Sequence, residues 1–526
     1  GRSVRNVYGG GWKGSVGRHI GDISADPSTD IDGETNVVVG IRQELASNFT
    51  DFGFYRGLPS IERNVYSGGE GGAVFGTANL TINNGYIGYL YNPGGYNVPE
   101  ADFDERFEEK LHDETWMDHV GLNRLLGSGN AFGGGYIDNS SVDFTNVKMY
   151  GGFVRNSILG GGEIAAIGRG TVTASGYENS ERTLEGIYKY GKTHIEMYNG
   201  HVMRDVYGGG KGYNNLGEVG SLYTDGYVFG QTEVFIRGGE IGTTENYEEG
   251  YGNVFGGGDV GYVYGIGKKS TLSTGSPGRY YYTTNGTNGD SWTEDCKVVV
   301  EPYAQVKAAG GVTIDGTPYA QYAYVPTDVL NKLKGKEDVD DKPKWQALDD
   351  HGIIIRNAVF AGGNVAVGSD KIYANTVTVF GNVTASLRDI YRRDLISIGT
   401  EHIGGLYGGG NLSLVDGYRE LHVSNYGTDY YGLKQSIEMD EYNSLTDRER
   451  AYFRLRFTCQ KRFDGGKDDD GIAYTGHEVG EQIYEDEYND LPDEYKTVGD
   501  KGSDNYWYQD GFCSIYAGRL LNTIQR

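Results

Sequence analysis

The feature that most constrains this chain is a short phrase that keeps returning: an apolar residue, an aromatic or a second apolar residue, then a run of glycines. It stands as Asn6-Val7-Tyr8-Gly9-Gly10-Gly11, Asn64-Val65-Tyr66-Ser67-Gly68-Gly69 and Asn130-Ala131-Phe132-Gly133-Gly134-Gly135. It returns as Ile158-Leu159-Gly160-Gly161-Gly162, Val206-Tyr207-Gly208-Gly209-Gly210 and Val254-Phe255-Gly256-Gly257-Gly258. Val359-Phe360-Ala361-Gly362-Gly363 and Leu406-Tyr407-Gly408-Gly409-Gly410 complete a set of eight. A lone glycine triplet reads as a flexible linker. Eight copies in a fixed apolar frame instead mark a repeat architecture. None ends in Gly-Lys-Ser/Thr or opens a long helical pattern, which excludes a phosphate cradle.

A second phrase precedes several of the copies. Its clearest form is Thr232-Glu233-Val234-Phe235-Ile236-Arg237-Gly238-Gly239-Glu240-Ile241, matched from Thr145 to Val154 and from Thr193 to Val202, with looser versions from Asn79 and Thr376. Between Thr193 and Gly210 the two phrases run together without a gap. There Ile195 and Met197 alternate inward on one strand, Asn199-Gly200 turns, Val202 points inward on a second strand, and Val206 opens a third after Arg204-Asp205. Three strands and three corners in 18 residues are one coil of a solenoid. A coil of this size carries too few apolar residues to bury a core alone, so neighbours must stack and like residues must form ladders. Tyr and Phe before the glycines are expected to stack at one corner, and the glycines to occupy places that a Cβ would forbid.

The fold class that follows is all-β: a right-handed parallel β-helix, or solenoid, with three insertions containing short helices and irregular loops. Residues 1–91, 127–267 and 351–423 read as β-helix coils, 92–126 as a helical insertion and 268–350 as a Tyr-rich insertion with a short helix. Residues 424–526 read as an acidic, Tyr-rich insertion or C-terminal subdomain. Thr446-Asp447-Arg448-Glu449 has the form of a capping box and predicts a helix carrying Tyr452, Phe453 and Leu455.

Composition narrows function. The 526 residues include 87 glycines and only 10 prolines, without the strict every-third-residue glycine of collagen. A formal charge of −26 repels phosphate backbones, so nucleic acid is excluded as a partner. The sequence has no run of about 20 apolar residues and hence no transmembrane segment. It begins with Gly1 and enters a repeat within a few positions, so it reads as part of a much longer chain. Cys296, Cys459 and Cys513 are too few for a disulfide framework; one bridge, Cys459 to Cys513, and three reduced thiols are the alternatives.

The candidate sites lie off the repeats. Asp464, Asp468, Asp469 and Asp470 surround glycines in a loop with the oxygen ligands calcium takes, and Asp26, Asp30, Asp32 and Glu34 form a second acidic group. Neither has EF-hand spacing, and an acidic loop without metal is the commoner reading of both. His112 and His119 among acids in the first insertion have the look of a metal cluster or of a solvated helix face. Tyr484, Tyr488, Tyr506, Trp507 and Tyr508 are glycan-stacking candidates or anchors of the C-terminal segment. No nucleophile, base or cofactor motif stands out, and no catalytic residue is assigned. The structural repeat positions are Tyr8, Gly9, Phe132, Gly133, Gly160, Tyr207, Gly208, Phe255, Gly256, Phe360, Gly362, Tyr407 and Gly408.

With these units in view, the chain resembles the very large Gly-rich repeat proteins of Bacteroidetes, which string together Gly-Gly-x-Ile and Asn-Val-Tyr/Phe-Gly-Gly-Gly units. The closing Ala517-Gly518-Arg519-Leu520-Leu521-Asn522-Thr523-Ile524-Gln525-Arg526 is similar to a segment of the same group. The resemblance implies an exported, surface-displayed structural or adhesin-type protein whose partners are glycans, protein surface ligands and neighbouring repeats of the same long chain. A β-helical carbohydrate-active enzyme, hydrolase or lyase, and a phage tail-fibre or spike-like protein are the alternatives.

Overall fold

The computed structural model describes residues 4–20, 27–41, 59–88, 129–175, 181–212, 226–243, 250–271, 280–286, 291–308, 352–364, 376–387, 405–411 and 413–423. It also describes shorter stretches between 312 and 349, at 396–398 and between 429 and 515. The chain divides into two compact units, Gly1–Asn425 and Tyr426–Arg526.

The first unit is built on three long parallel sheets, of eleven, eight and seven strands among the described residues, here called the broad, aromatic and narrow sheets. The chain visits them in a fixed order. Val142–Met149 lies in the broad sheet, Phe153–Val154 in the narrow one and Ile158–Leu159 in the aromatic one. Gly191–Met197, His201–Val202 and Val206–Tyr207 repeat the order, and each strand pairs in parallel with its counterpart one pass earlier. The pass after that, Val228–Ile236, Gly239–Ile241 and Val254–Phe255, does the same. Strict register places like on like: Val147, Ile195 and Val234 stand in one row, Met149, Met197 and Ile236 in the next.

Alternation decides which side chains meet. Along Gly191–Met197 every second residue is buried, and Ile195, Met197, Val202 and Val206 are all fully covered. Residues from all three sheets join in a single hydrophobic cluster, so the sheets share one core. The expected aromatic stack is present. Tyr8, Tyr66 and Phe132 lie ring on ring at 5.0 and 4.9 Å, and Tyr207, Phe255, Phe360 and Tyr407 continue at 4.8, 5.0 and 4.9 Å. Leu159 holds the place between the two runs.

The glycine triplets owe their composition to close approach and not to left-handed backbone. A Cβ on Gly161 would sit 2.6 Å from the Gly210 nitrogen, and one on Gly209 2.8 Å from the Gly258 nitrogen. Neither glycine has a positive φ, whereas Gly200 in the Asn199-Gly200 turn does, at 102°. The middle glycines form their own ladder, Gly134 donating to Gly161, Gly161 to Gly209 and Gly209 to Gly257, each at 3.0 Å.

Two polar ladders run beside these rows. Inward-facing Thr145, Thr193 and Thr232 donate to the carbonyls of Gly160, Gly208 and Gly256 at 2.7, 2.6 and 2.6 Å, and Thr35 does the same to Ser67. Buried carbonyls at the corner are thereby satisfied. The Asn that opens the glycine phrase has a parallel role. The side-chain oxygen of Asn6 accepts from the Asn64 N–H, that of Asn64 from the Asn130 N–H, and that of Asn130 from the Ser157 N–H.

Several expectations change. The apolar run Val298-Val299-Val300, inside the Tyr-rich segment, belongs to a strand of the broad sheet, Cys296–Val300, lying between Val228–Ile236 and Val383–Leu387. That segment's Tyr303 and Tyr324 meet Tyr198 at 6.0 and 4.6 Å, anchoring the small antiparallel sheet that carries them. In the second unit the helix expected after the capping box is corrected: Phe453–Cys459 is a β-strand. Phe453, Leu455, Phe457 and Cys459 alternate with Arg454, Arg456 and Thr458, and that period of two prevails over a cap signal located several residues upstream. Cys459 is a buried thiol that forms no disulfide, which corrects the bridge to Cys513. It pairs across the sheet with Trp507, whereas Cys513 stands opposite Leu455, four residues away and about 14 Å at ~3.4 Å per residue, beyond the reach of a disulfide. The helix expected at 92–126 lies outside the described residues, as do residues 327–344, where the short helix of the Tyr-rich insertion is expected to begin at Thr327.

Candidate functional site

The broad sheet turns alternate residues to solvent, and parallel register gathers these outward side chains into rows. One row runs Asn36, Asn79, Asn146, His194, Glu233 and Lys297. A neighbouring row brings Glu34, Thr77, Phe144 and Lys192 together. The third sets Thr81, Lys148, Glu196 and Phe235 side by side. Between them lies a cleft of about 610 Å³, lined by residues of all three rows.

One end of the cleft is an amide ladder. Asn146 donates to the Asn79 side-chain oxygen at 3.0 Å, and Asn79 donates to Asn36 at 3.1 Å and to Glu34 at 2.9 Å. The other end is an ion-pair mesh, in which Lys192 meets Glu233 at 2.8 Å and Lys148 meets Glu196 at 3.2 Å. His194 sits between the two carboxylates, 2.9 Å from Glu233 and 3.7 Å from Glu196. Burial opposes ionisation of both acids, but the His194 contact together with Lys148 for Glu196, and with Lys192 for Glu233, pulls each down to about 2. Burial works against the His194 cation as well, yet the two carboxylates raise its pKa above the ordinary imidazole value. Phe144, 39% exposed, offers its ring beside the amides.

A second polar cluster lies buried nearby in sequence but outside the cleft lining. Arg169, 1% exposed, pairs with Asp30 and approaches Asp143 at 3.5 Å. Lys189 reaches Asp143 at 2.9 Å and Asp30 at 3.3 Å, and His19 lies 2.6 Å from Asp30. Asp143 is raised by burial, against the pull of Lys189 and Arg169. For Asp30, burial pushes up but the His19 and Arg169 hydrogen bonds win and hold it below its ordinary value. Arg169 and Lys189 belong to an antiparallel hairpin, Arg169–Ser175 with Glu181–Lys189. The cluster therefore ties the Asp30 stretch to the hairpin's base, and buried charges so paired serve as a clamp.

The sequence-predicted candidates fall elsewhere. Asp30 is engaged by cations as just described, and Glu34 belongs to the amide ladder. Asp464, Asp468, Asp469 and Asp470, like Asp26, His112, His119 and Tyr506, lie outside the described residues. Among the described residues no group of three or more His, Cys, Asp or Glu side chains is placed to hold a metal. Tyr488 is 6% exposed on the short helix Glu485–Asp490 and stacks on Phe457 at 4.0 Å, turned into the core of the second unit and not outward to a ligand. Tyr484 ends the strand Gln482–Tyr484, and Trp507 and Tyr508 open the strand Trp507–Ile515. Tyr8, Phe132, Tyr207, Phe255, Phe360 and Tyr407 are the stacked rings of the aromatic sheet, with Gly9, Gly133, Gly160, Gly208, Gly256, Gly362 and Gly408 in the runs that follow them. The outward row was missed because even its neighbouring members lie up to 67 residues apart in the chain; the signal was the matched position of Asn79, Asn146, His194 and Glu233 within the second phrase.

Among the described residues no helix is long and apolar enough to cross a membrane. No protein-family model, no curated protein and no solved structure matches this chain.

Proposed function

We propose that the three parallel sheets wind as a right-handed parallel β-helix, and that the chain works at the bacterial cell surface, outside the cell, as a structural, adhesin-type element of a longer protein. The observation that carries this reading is the row-on-row register shared by three parallel sheets around one core, with ordered polar side chains on the outer face of the broadest. A rigid face of this kind presents fixed groups to a glycan or protein partner without needing a moving part. Both acids beside His194 are engaged in ion pairs and pulled down to about 2, so neither is the raised-pKa carboxylic acid that glycoside hydrolysis uses. The charge of −26 keeps such an element soluble.

The test combines location with activity. Antibodies against the chain are expected to label intact producing cells, and the purified chain is expected to adhere to a glycan- or cell-coated surface without releasing new reducing ends. Labelling only after lysis, or steady release of sugar products, would overturn the reading.

A further inference from the structure

We infer that the cleft on the outer face of the broad sheet binds a linear, uncharged polysaccharide laid across the strands, its hydroxyls held by the Asn36, Asn79 and Asn146 amides and one ring stacked on Phe144. This deepens the surface-binding reading above and rests on it.

Four observations converge on that ligand class. The cleft's volume, about 610 Å³, is that of a small-molecule site, yet it lies open along a row of strands spaced ~4.8 Å apart, so a chain and not a compact ligand fits it. Its polar groups recur strand by strand: Asn36 and Asn146 each carry a second N–H beyond the one the ladder uses, and Asn79, whose two N–H groups go to Asn36 and Glu34, keeps an oxygen lone pair, the mixture of donors and acceptors that sugar hydroxyls need. Phe144 stands in the adjoining row, offering an apolar face for the C–H face of a sugar.

Charge then sets the ligand's own charge. Lys148 is matched by Glu196 and Lys192 by Glu233, so no unneutralised cation is offered to an acidic sugar. Glu34 and the whole chain's −26 add repulsion against a polyanion. A peptide is disfavoured as well. Strand addition needs a free sheet edge, whereas most of the cleft lies over Val74–Ile82, Val142–Met149 and Gly191–Met197, which are paired on both sides, and only its Glu34 and Asn36 end reaches the terminal strand Gly33–Val39.

The experiment titrates the full chain with cellohexaose, xylohexaose and mannohexaose, with hexagalacturonate as the anionic arm, using calorimetry. At least one neutral hexasaccharide is expected to bind. Phe144→Ala and the double variant Asn79→Ala/Asn146→Ala are each expected to weaken it tenfold or more with an unchanged circular dichroism spectrum. Val479→Ala, an exposed change in the other unit, should leave affinity as it is. Failure of all neutral sugars, preference for hexagalacturonate, or neutral binding that ignores the cleft variants overturns the inference. If adhesion to coated surfaces persists while every hexasaccharide fails, this inference falls and the adhesin reading stands; if adhesion is also absent, the reading itself falls.

Discussion

Asp205 occupies a place where this fold wants an amide, and replacing it with asparagine should stabilise the protein. In the ladder that runs through Asn6, Asn64 and Asn130, the later positions are Ser157, Asp205 and Asn253. Asp205 is buried, accepts from the Asn253 backbone and side chain at 2.8 and 3.0 Å, and receives the Tyr207 hydroxyl at 3.1 Å. Burial nevertheless dominates, and its carboxyl is pushed up from 3.8 to about 6. A folded pKa above the unfolded one means that the folded state binds the proton more tightly, so stability falls as pH rises from 3.8 and levels off above about 6. At ~1.36 kcal/mol per pH unit, the ionised form costs about 3 kcal/mol at neutral pH. Asp205→Asn removes that cost and keeps the geometry, because Asn64 already donates from its amide to the Tyr66 hydroxyl at 2.9 Å, one residue type for one position. Urea unfolding followed by circular dichroism at pH 7.5 and pH 3.5 is the assay. The variant should gain about 1–3 kcal/mol at pH 7.5 and almost nothing at pH 3.5. A loss at pH 7.5, or a gain of equal size at both values, refutes the reasoning.

Three further outcomes follow from the same packing. Gly209→Ala drives a methyl to 2.8 Å from the backbone of Gly258 and should cost about 1–3 kcal/mol, whereas Gly409→Ala, at the same motif position but with nothing within 4 Å, should be close to neutral; melting temperatures of the two decide it. Arg169→Met leaves Asp30 and Asp143 buried with Lys189 as their remaining close cation and should cost about 3–5 kcal/mol, read as a drop in the urea midpoint. Glu196 and Glu233, depressed from 4.5 to about 2, contribute stability that is full above pH 4.5 and is lost as pH falls from there towards 2; Glu196→Gln and Glu233→Gln should flatten the acid limb of a melting-temperature profile in that window, and an unchanged limb counts against the ion-pair mesh.

How much of this was legible depended on whether a signal was local. Alternation in Ile195 and Met197, the Asn199-Gly200 turn and the aromatic, or Leu159, before each glycine run are features of six or seven neighbouring residues, and all three appear in the structure as read. The glycine runs were legible as a pattern, with close approach between neighbouring passes emerging as the operative cause. Phe453–Cys459 went the other way. A cap signal argued for helix, while the alternation that makes a strand was present in the residues and was outweighed in the reading.

What sequence could not supply was the row. Arg169 and Asp30 are 139 residues apart, and Asn79 and Asn146 are 67 apart because a long segment intervenes between their strands. Spacing along the chain therefore carries no information about which outward side chains become neighbours; only the register does. Inward residues are constrained to be apolar, or to satisfy a corner carbonyl as Thr193 does, and so repeat visibly from one pass to the next. Outward residues are free of that constraint. Asn36, Asn79 and Asn146 nonetheless repeat on the solvent side, where their amides bond one another across the strands, and they give way to His194 and Glu233, which are held by ion pairs instead. Those cross-strand bonds hold the outward groups in fixed positions, which is the physical reason for placing the ligand there, and the change of chemistry makes the amide-to-charge boundary between Asn146 and His194 the first place to look for the end of a bound chain.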